Sequence, residues 1–265
     1  MTRPRHKLSD PPLAANKGVK AATFHLLLDT AMALISADGH AYELIRKYNT
    51  MTTPPHPPAS HPGQVTHLLY LHGFRSSPQS AKARQMAARV AAINARQPGR
   101  LTWWCPQLPP SPAAAVALLR GGIASWPAQT MAVIGSSLGG FYATCLAEQQ
   151  GCRAVVLNPA VHPARDLARH IGAQTAWHDP DQGFYFEPDF IGELQALEAG
   201  PLVQPARYFG VIAKGDELLD WREMTARYAG SHTKLLPASD HALSDFDAHI
   251  DDVLAFLGLD DPPPA

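Results

Sequence analysis

Residues 132–144, AVIGSSLGGFYAT, pass from a β-branched apolar segment through Gly135-Ser136-Ser137-Leu138-Gly139 into a stretch of helical composition. Gly-x-Ser-x-Gly between a strand and a helix is the pattern of a nucleophile elbow, a turn tight enough to lift the central serine hydroxyl above the sheet. Ser137 is that serine. A side chain at position 135 or 139 would collide with neighbouring backbone in such a turn, which accounts for the glycines there, and Gly140 lets the following helix pack close to the strands. The stretch predicts a strand-to-helix connection and a chemistry, attack by a hydroxyl.

Around it the chain alternates short apolar runs with longer helical stretches. Strands are expected at 65–71, 101–105, 130–135, 153–157, 207–213 and 232–236, and helices at 79–96, 112–125, 138–150, 188–198, 220–229 and 244–257. Continuous apolar strands separated by helices mean a parallel sheet covered on both faces. Right-handed crossovers then give an α/β three-layer sandwich, with a mostly parallel, doubly wound sheet of about six strands. In such sheets the site lies beyond the carboxyl ends of the strands. This domain is expected over 65–258. The Pro-rich segment 51–64, containing TTPPHPPASHPG, reads as an extended linker, and 1–50 as an N-terminal extension, either one helix or disordered. Residues 259–265 form a polar, Pro-rich tail.

Composition narrows the function. The chain has 265 residues, 46% of them hydrophobic, enough for one substantial core. Lys+Arg 22 against Asp+Glu 23 leaves a formal charge of -1, and no basic block interleaves with aromatics, which argues against a nucleic-acid partner. His25 and Asp29 interrupt the apolar run FHLLLDTAMALI, so an export signal is not expected. Nor does any run of eighteen apolar residues suggest a membrane span. Cys105, Cys145 and Cys152 are odd in number and lack metal-ligand spacing, which suits reduced core thiols and a cytoplasmic setting.

A serine hydroxyl is a weak nucleophile at neutral pH, so Ser137 requires a base, a group orienting that base, and donors for the developing oxyanion. In α/β-hydrolases the order along the chain is Ser, Asp or Glu, then His. AKGDELLD follows the strand at 207–213 and PASDHALSD follows the last strand, which nominates Asp216 as the orienting acid and His241 as the base. Asp220 is the competing acid, although its place before WREM suits a helix N-cap, and Glu217 is a further nearby carboxylate. His232, at a strand start, and His249, within a helix, are less natural positions for a base. The oxyanion donors are expected from the backbone N–H groups of Leu138 and of Phe74, the latter in LYLHGFRSSP after the first strand. His72 in that segment reads as a structural hydrogen-bonding group.

Six segments in this order, YLHGFRSSPQSAKA (70–83), CPQLPPSPAAAV (105–116), IGSSLGGFYATCLAE (134–148), LNPAVHP (157–163), GDELLD (215–220) and SDHALSDF (239–246), resemble the YqiA-like esterases, a compact branch of the α/β-hydrolase superfamily. The resemblance covers residues 65–257. It implies a compact α/β-hydrolase fold and a serine esterase acting on small-molecule acyl esters, with Ser137, Asp216 and His241 in the roles above and no metal or organic cofactor. An acyl-CoA thioesterase or acyltransferase would use the same three residues, and a non-catalytic binding protein of this fold is a weaker alternative. Residues 164–190 lie where many α/β-hydrolases carry a cap. Their aromatics, Trp177, Phe184, Tyr185 and Phe186, either line an acyl pocket or pack beneath a long loop.

Overall fold

A computed structural model describes residues 64–260 except 178, 180 and 182. The expected extension at 1–50, nearly all of the linker and residues 261–265 of the tail lie outside the described residues. Six strands build one sheet: β1 (His67–Leu71), β2 (Thr102–Trp104), β3 (Met131–Ser136), β4 (Arg153–Leu157), β7 (Tyr208–Ala213) and β8 (His232–Leu236). Their spatial order is β2-β1-β3-β4-β7-β8, and every pairing is parallel. The register sets Leu71 beside Gly135 and Ser136 beside Leu157, so the carboxyl ends of the three central strands are level.

The helices follow from the same alternation: α1 (Ala81–Arg96), α2 (Pro112–Gly122), α3 (Leu138–Gln150), α4 (Pro163–Leu167), α5 (Asp189–Ala196), α6 (Trp221–Arg227) and α7 (Ile250–Leu257). Strand side chains point alternately to the two sheet faces. Leu68, Tyr70, Ala132 and Ile134 join Met86 and Val90 of α1 and Val253 and Leu257 of α7 in one core layer. Leu69, Leu71 and Val133 meet Val116 and Leu119 of α2 and Phe141 and Leu146 of α3 in the other. Helix α3 is buried from Leu138 through Ala147, so its sequence is apolar on all sides rather than along one stripe.

Two elements depart from expectation. The predicted helix over 244–257 is a short 3-10 turn, Phe246–His249, followed by α7. The stretch at 164–190 holds an antiparallel hairpin, β5 (Gly172–Thr175) with β6 (Gly183–Phe186), in addition to α4 and the start of α5. No helix among the described residues is long and apolar enough to cross a membrane.

Candidate active site

From β1 the chain passes one way to the neighbouring β2, and β3 lies on its other side. Such a reversal opens a crevice at the carboxyl ends of the strands, and the turns after β1 and β3 meet in it. Ser137 leaves β3 with φ 55° and ψ -121°, a left-handed conformation that a non-glycine residue adopts only where its surroundings over-determine it. Its amide donates to the Leu157 carbonyl at 3.0 Å, and its own carbonyl accepts from Gly140 at 2.8 Å and Ala160 at 3.0 Å. The glycines make the turn possible sterically. A Cβ on Gly135 would lie 2.1 Å from the Gly139 carbonyl oxygen, and one on Gly139 would lie 2.1 Å from that of Leu71.

Asp216 and His241 arrive from the ends of β7 and β8. The Asp216 side chain is fully buried and that of His241 is 17% exposed. His241 Nδ1 lies 2.8 Å from Asp216 Oδ2, and His241 Nε2 lies 3.1 Å from Ser137 Oγ. A carboxylate only accepts, so Nδ1 carries the hydrogen and Nε2 is left to accept from the serine hydroxyl. The other oxygen, Asp216 Oδ1, accepts from the amides of Leu218 and Leu219 at 2.9 and 2.8 Å, which fixes the carboxylate plane. This arrangement can draw a proton from a hydroxyl and hold the resulting imidazolium.

The competing residues are engaged elsewhere. Asp220 Oδ1 caps α6 by accepting from the Arg222 amide at 2.9 Å. Glu217 Oε2 accepts from the His241 amide at 3.0 Å, so it braces the loop rather than the ring. His232 opens β8 and packs on Phe256, while His249 meets Asp245 at 3.2 Å. His72 Nε2 accepts from the Leu108 amide at 3.1 Å, and Nδ1 lies 3.0 Å from the Gly73 carbonyl oxygen. It thereby ties the loop after β1 to the loop after β2, in the structural role expected of it.

Gly73 touches the elbow: a Cβ there would lie 3.1 Å from Ser137 Cβ and 3.6 Å from Ser137 Oγ. The Phe74 amide follows immediately in the chain. Leu138 begins α3, and the first amides of a helix have no partner within it. A cavity of about 460 Å³ opens beside these two residues, with Arg75, Leu108, Tyr142 and Phe184 among its walls. Of the four aromatics considered for an acyl pocket, Trp177, Phe184, Tyr185 and Phe186, only Phe184 lines it. Along β6 alternate residues face opposite ways, so Phe184 and Phe186 turn inward to Phe74 while Tyr185 points out, 55% exposed. Trp177, 70% exposed, lies over the Arg75 guanidinium at 4.1 Å.

Two further residues, Asn158 and Lys82, support the His241 loop. Asn158, at the end of β4, is 1% exposed and adopts φ 41°. Its Nδ2 donates to the carbonyls of Asp240 and His241 at 2.9 and 3.1 Å, and its Oδ1 accepts from the Ala213 amide at 2.7 Å. One side chain therefore joins the strand leading to Asp216 with the loop bearing His241. Lys82 on α1 donates to the Ala242 carbonyl. Burial holds the Lys82 amine down to about 8, against the pull of the Asp240 and Asp216 carboxylates. Among the described residues no group of three or more His, Cys, Asp or Glu side chains is arranged to hold a metal ion.

Residues 67–258 match the uncharacterised protein family UPF0227. The chain belongs to that family. UPF0227 is the YqiA family, so the six sequence segments point to the right relatives. Solved structures place it in the α/β-hydrolase fold. A protein from Agrobacterium vitis S4 described as a hydrolase superposes with a TM-score of 0.56 at 14% identity, covering 73% of this chain and 88% of its own. Est1E from Butyrivibrio proteoclasticus, solved with ferulic acid bound, gives 0.55 at 12%, covering 77% and 93%. Mouse alpha/beta hydrolase domain-containing protein 10 gives 0.52 at 12%, covering 72% and 90%. At these identities the likeness is one of fold, and this UPF0227 chain's chemistry is read from its own residues.

Proposed function

We propose that the chain is a serine hydrolase that cleaves carboxylic esters of short acyl chains through an acyl-enzyme. The observation that carries this reading is the unbroken hydrogen-bonded line from Asp216 through His241 to Ser137, ending on a serine held in a strained turn. In the proposed reaction Ser137 Oγ attacks the ester carbonyl while His241 Nε2 takes its proton, and Asp216 holds the ring and stabilises the imidazolium. The amides of Phe74 and Leu138 receive the negative oxygen. Collapse of the tetrahedral species expels the alcohol, which takes the proton from His241, and a water molecule repeats the sequence to release the acid.

The hydrolase description of the Agrobacterium vitis neighbour supports the same class. The three cysteines are free, which supports a reducing, cytoplasmic setting. The test is turnover of short-chain nitrophenyl esters by the wild type and by Ser137→Ala. The variant should fold normally and lose activity by roughly six orders of magnitude, the cost of removing a triad nucleophile. An undiminished rate would end the assignment, and tight ester binding without any wild-type hydrolysis would favour a binding protein.

A further inference from the structure

The cavity beside Ser137 is apolar on most of its wall, with Leu108, Pro109, Leu118 and Phe184 among the lining residues, yet it carries one permanent cation, Arg75. Arg75 follows Phe74 directly, so its Cα is at most about 7.6 Å from that of Gly73, the residue in contact with the elbow. Its backbone has φ 59°, a conformation in which a bulky residue is a genuine outlier and which glycine would adopt without strain. A long cationic side chain is kept there despite that cost. Such an outlier is a pointer to function when the side chain also has somewhere to act.

The guanidinium is oriented by three contacts. Nε donates to the Thr175 carbonyl at 2.6 Å, Nη2 donates to Thr175 Oγ1 at 3.0 Å, and the indole of Trp177 covers one face at 4.1 Å. These bonds use the Nε edge and leave the Nη1 hydrogens uncommitted among the described residues. No carboxylate forms an ion pair with Arg75 among those residues; Asp179 in the neighbouring turn instead accepts from the Asp181 amide at 3.1 Å. His170, tilted against Phe74 at 5.6 Å between ring centres, is held below its ordinary range by burial and by the charges of Arg169 and Arg75.

We infer that Arg75 is a specificity residue selecting esters that carry a carboxylate or similar anion on the portion seated in this cavity. The inference rests on the esterase reading of the same site and adds its substrate class. A fixed guanidinium with free donors meets an anion through charge-assisted hydrogen bonds, each stronger than a neutral one. The aromatic cover holds the fork in place, so little ordering remains to be done on binding. The anion's source is either the acyl chain, as in the half-ester of a dicarboxylic acid, or the alcohol portion.

The test compares kcat/KM for neutral nitrophenyl esters with two anionic sets: mono-nitrophenyl half-esters of dicarboxylic acids of increasing length, and carboxylated nitrophenyl esters of a neutral acid. One set should exceed its neutral isostere by about tenfold or more, the scale of a charge-assisted hydrogen bond. The preference should weaken with added salt. Arg75→Gln should bring the anionic-to-neutral ratio close to one through KM, and Arg75→Lys should retain part of it. Thr175→Val, which loosens the clamp but keeps the cation, separates charge from hairpin packing by retaining a ratio well above one. A wild-type ratio near one for both anionic sets, or an unchanged ratio in Arg75→Gln, would overturn the inference while leaving the esterase reading intact. Failure of every ester, neutral ones included, would instead overturn the reading on which it rests.

Discussion

Asn158→Asp isolates the brace behind His241. The substitution is isosteric, and aspartate tolerates the left-handed conformation observed at φ 41°, so the backbone need not move. The acceptor bond from the Ala213 amide survives, whereas the two donor bonds to the Asp240 and His241 carbonyls are lost and an oxygen now faces two oxygens at about their 2.9 and 3.1 Å separations. Two part-buried carbonyls left without these donors cost at most about 2–6 kcal/mol together. At 1% exposure the new carboxyl is driven toward its protonated form, which restores one donor. Displacing the imidazole by about 1 Å costs roughly a hundredfold in the acylation rate. The assay is the pre-steady-state burst of nitrophenolate, followed with unfolding free energy on the same samples. The burst rate should fall far more than KM changes, and the variant-to-wild-type ratio should recover as the pH is lowered. A burst rate within twofold of wild type at every pH, alongside lowered stability, would refute the positioning role and leave Asn158 a purely structural residue.

Lys82 gives a pH-dependent prediction. Its folded-state value of about 8 lies below the 10.5 of an unperturbed lysine, so between these limits the unfolded chain holds the proton that the folded protein has released. Stability contributed by this site therefore rises with pH across that window, by at most about 1.4 kcal/mol per pH unit. The stability of wild type relative to Lys82→Met should climb from pH 8 to 10.5 in urea denaturation; a flat or falling difference would contradict the burial argument. Burial also raises the three thiols, Cys105 and Cys152 to about 12, so iodoacetamide at pH 7.5 should leave the native protein unmodified and alkylate all three in denaturant, as read by mass spectrometry.

The sheet was legible in sequence because its four inner strands, β1, β3, β4 and β7, are buried parallel ones, written as short apolar runs such as AVIGS or RAVVL between helical stretches. The elbow was legible because the turn admits so few residues at 135 and 139. The hairpin was not. GAQT in β5 has neither β-branched alternation nor a tight-turn dipeptide after it, and its place is set by remote contacts, Arg75 with Thr175 and Phe74 with Phe184 and Phe186. Once β6 is a strand, its two-residue period separates Phe184 from Tyr185; a loop reading groups them. The braces that Asn158 and Lys82 make were hidden for a related reason. Each acts on backbone carbonyls some 80 or 160 residues away, and one-dimensional spacing carries no signal of such pairs.

The account turns on Ser137 as the nucleophile. Incubating the full chain with a fluorophosphonate and mapping the adduct by tandem mass spectrometry tests this most directly. A single phosphonylated site at Ser137, absent from Ser137→Ala and slowed in Asp216→Asn, is the predicted result. An adduct on another residue, or equal labelling of Ser137→Ala, would contradict it.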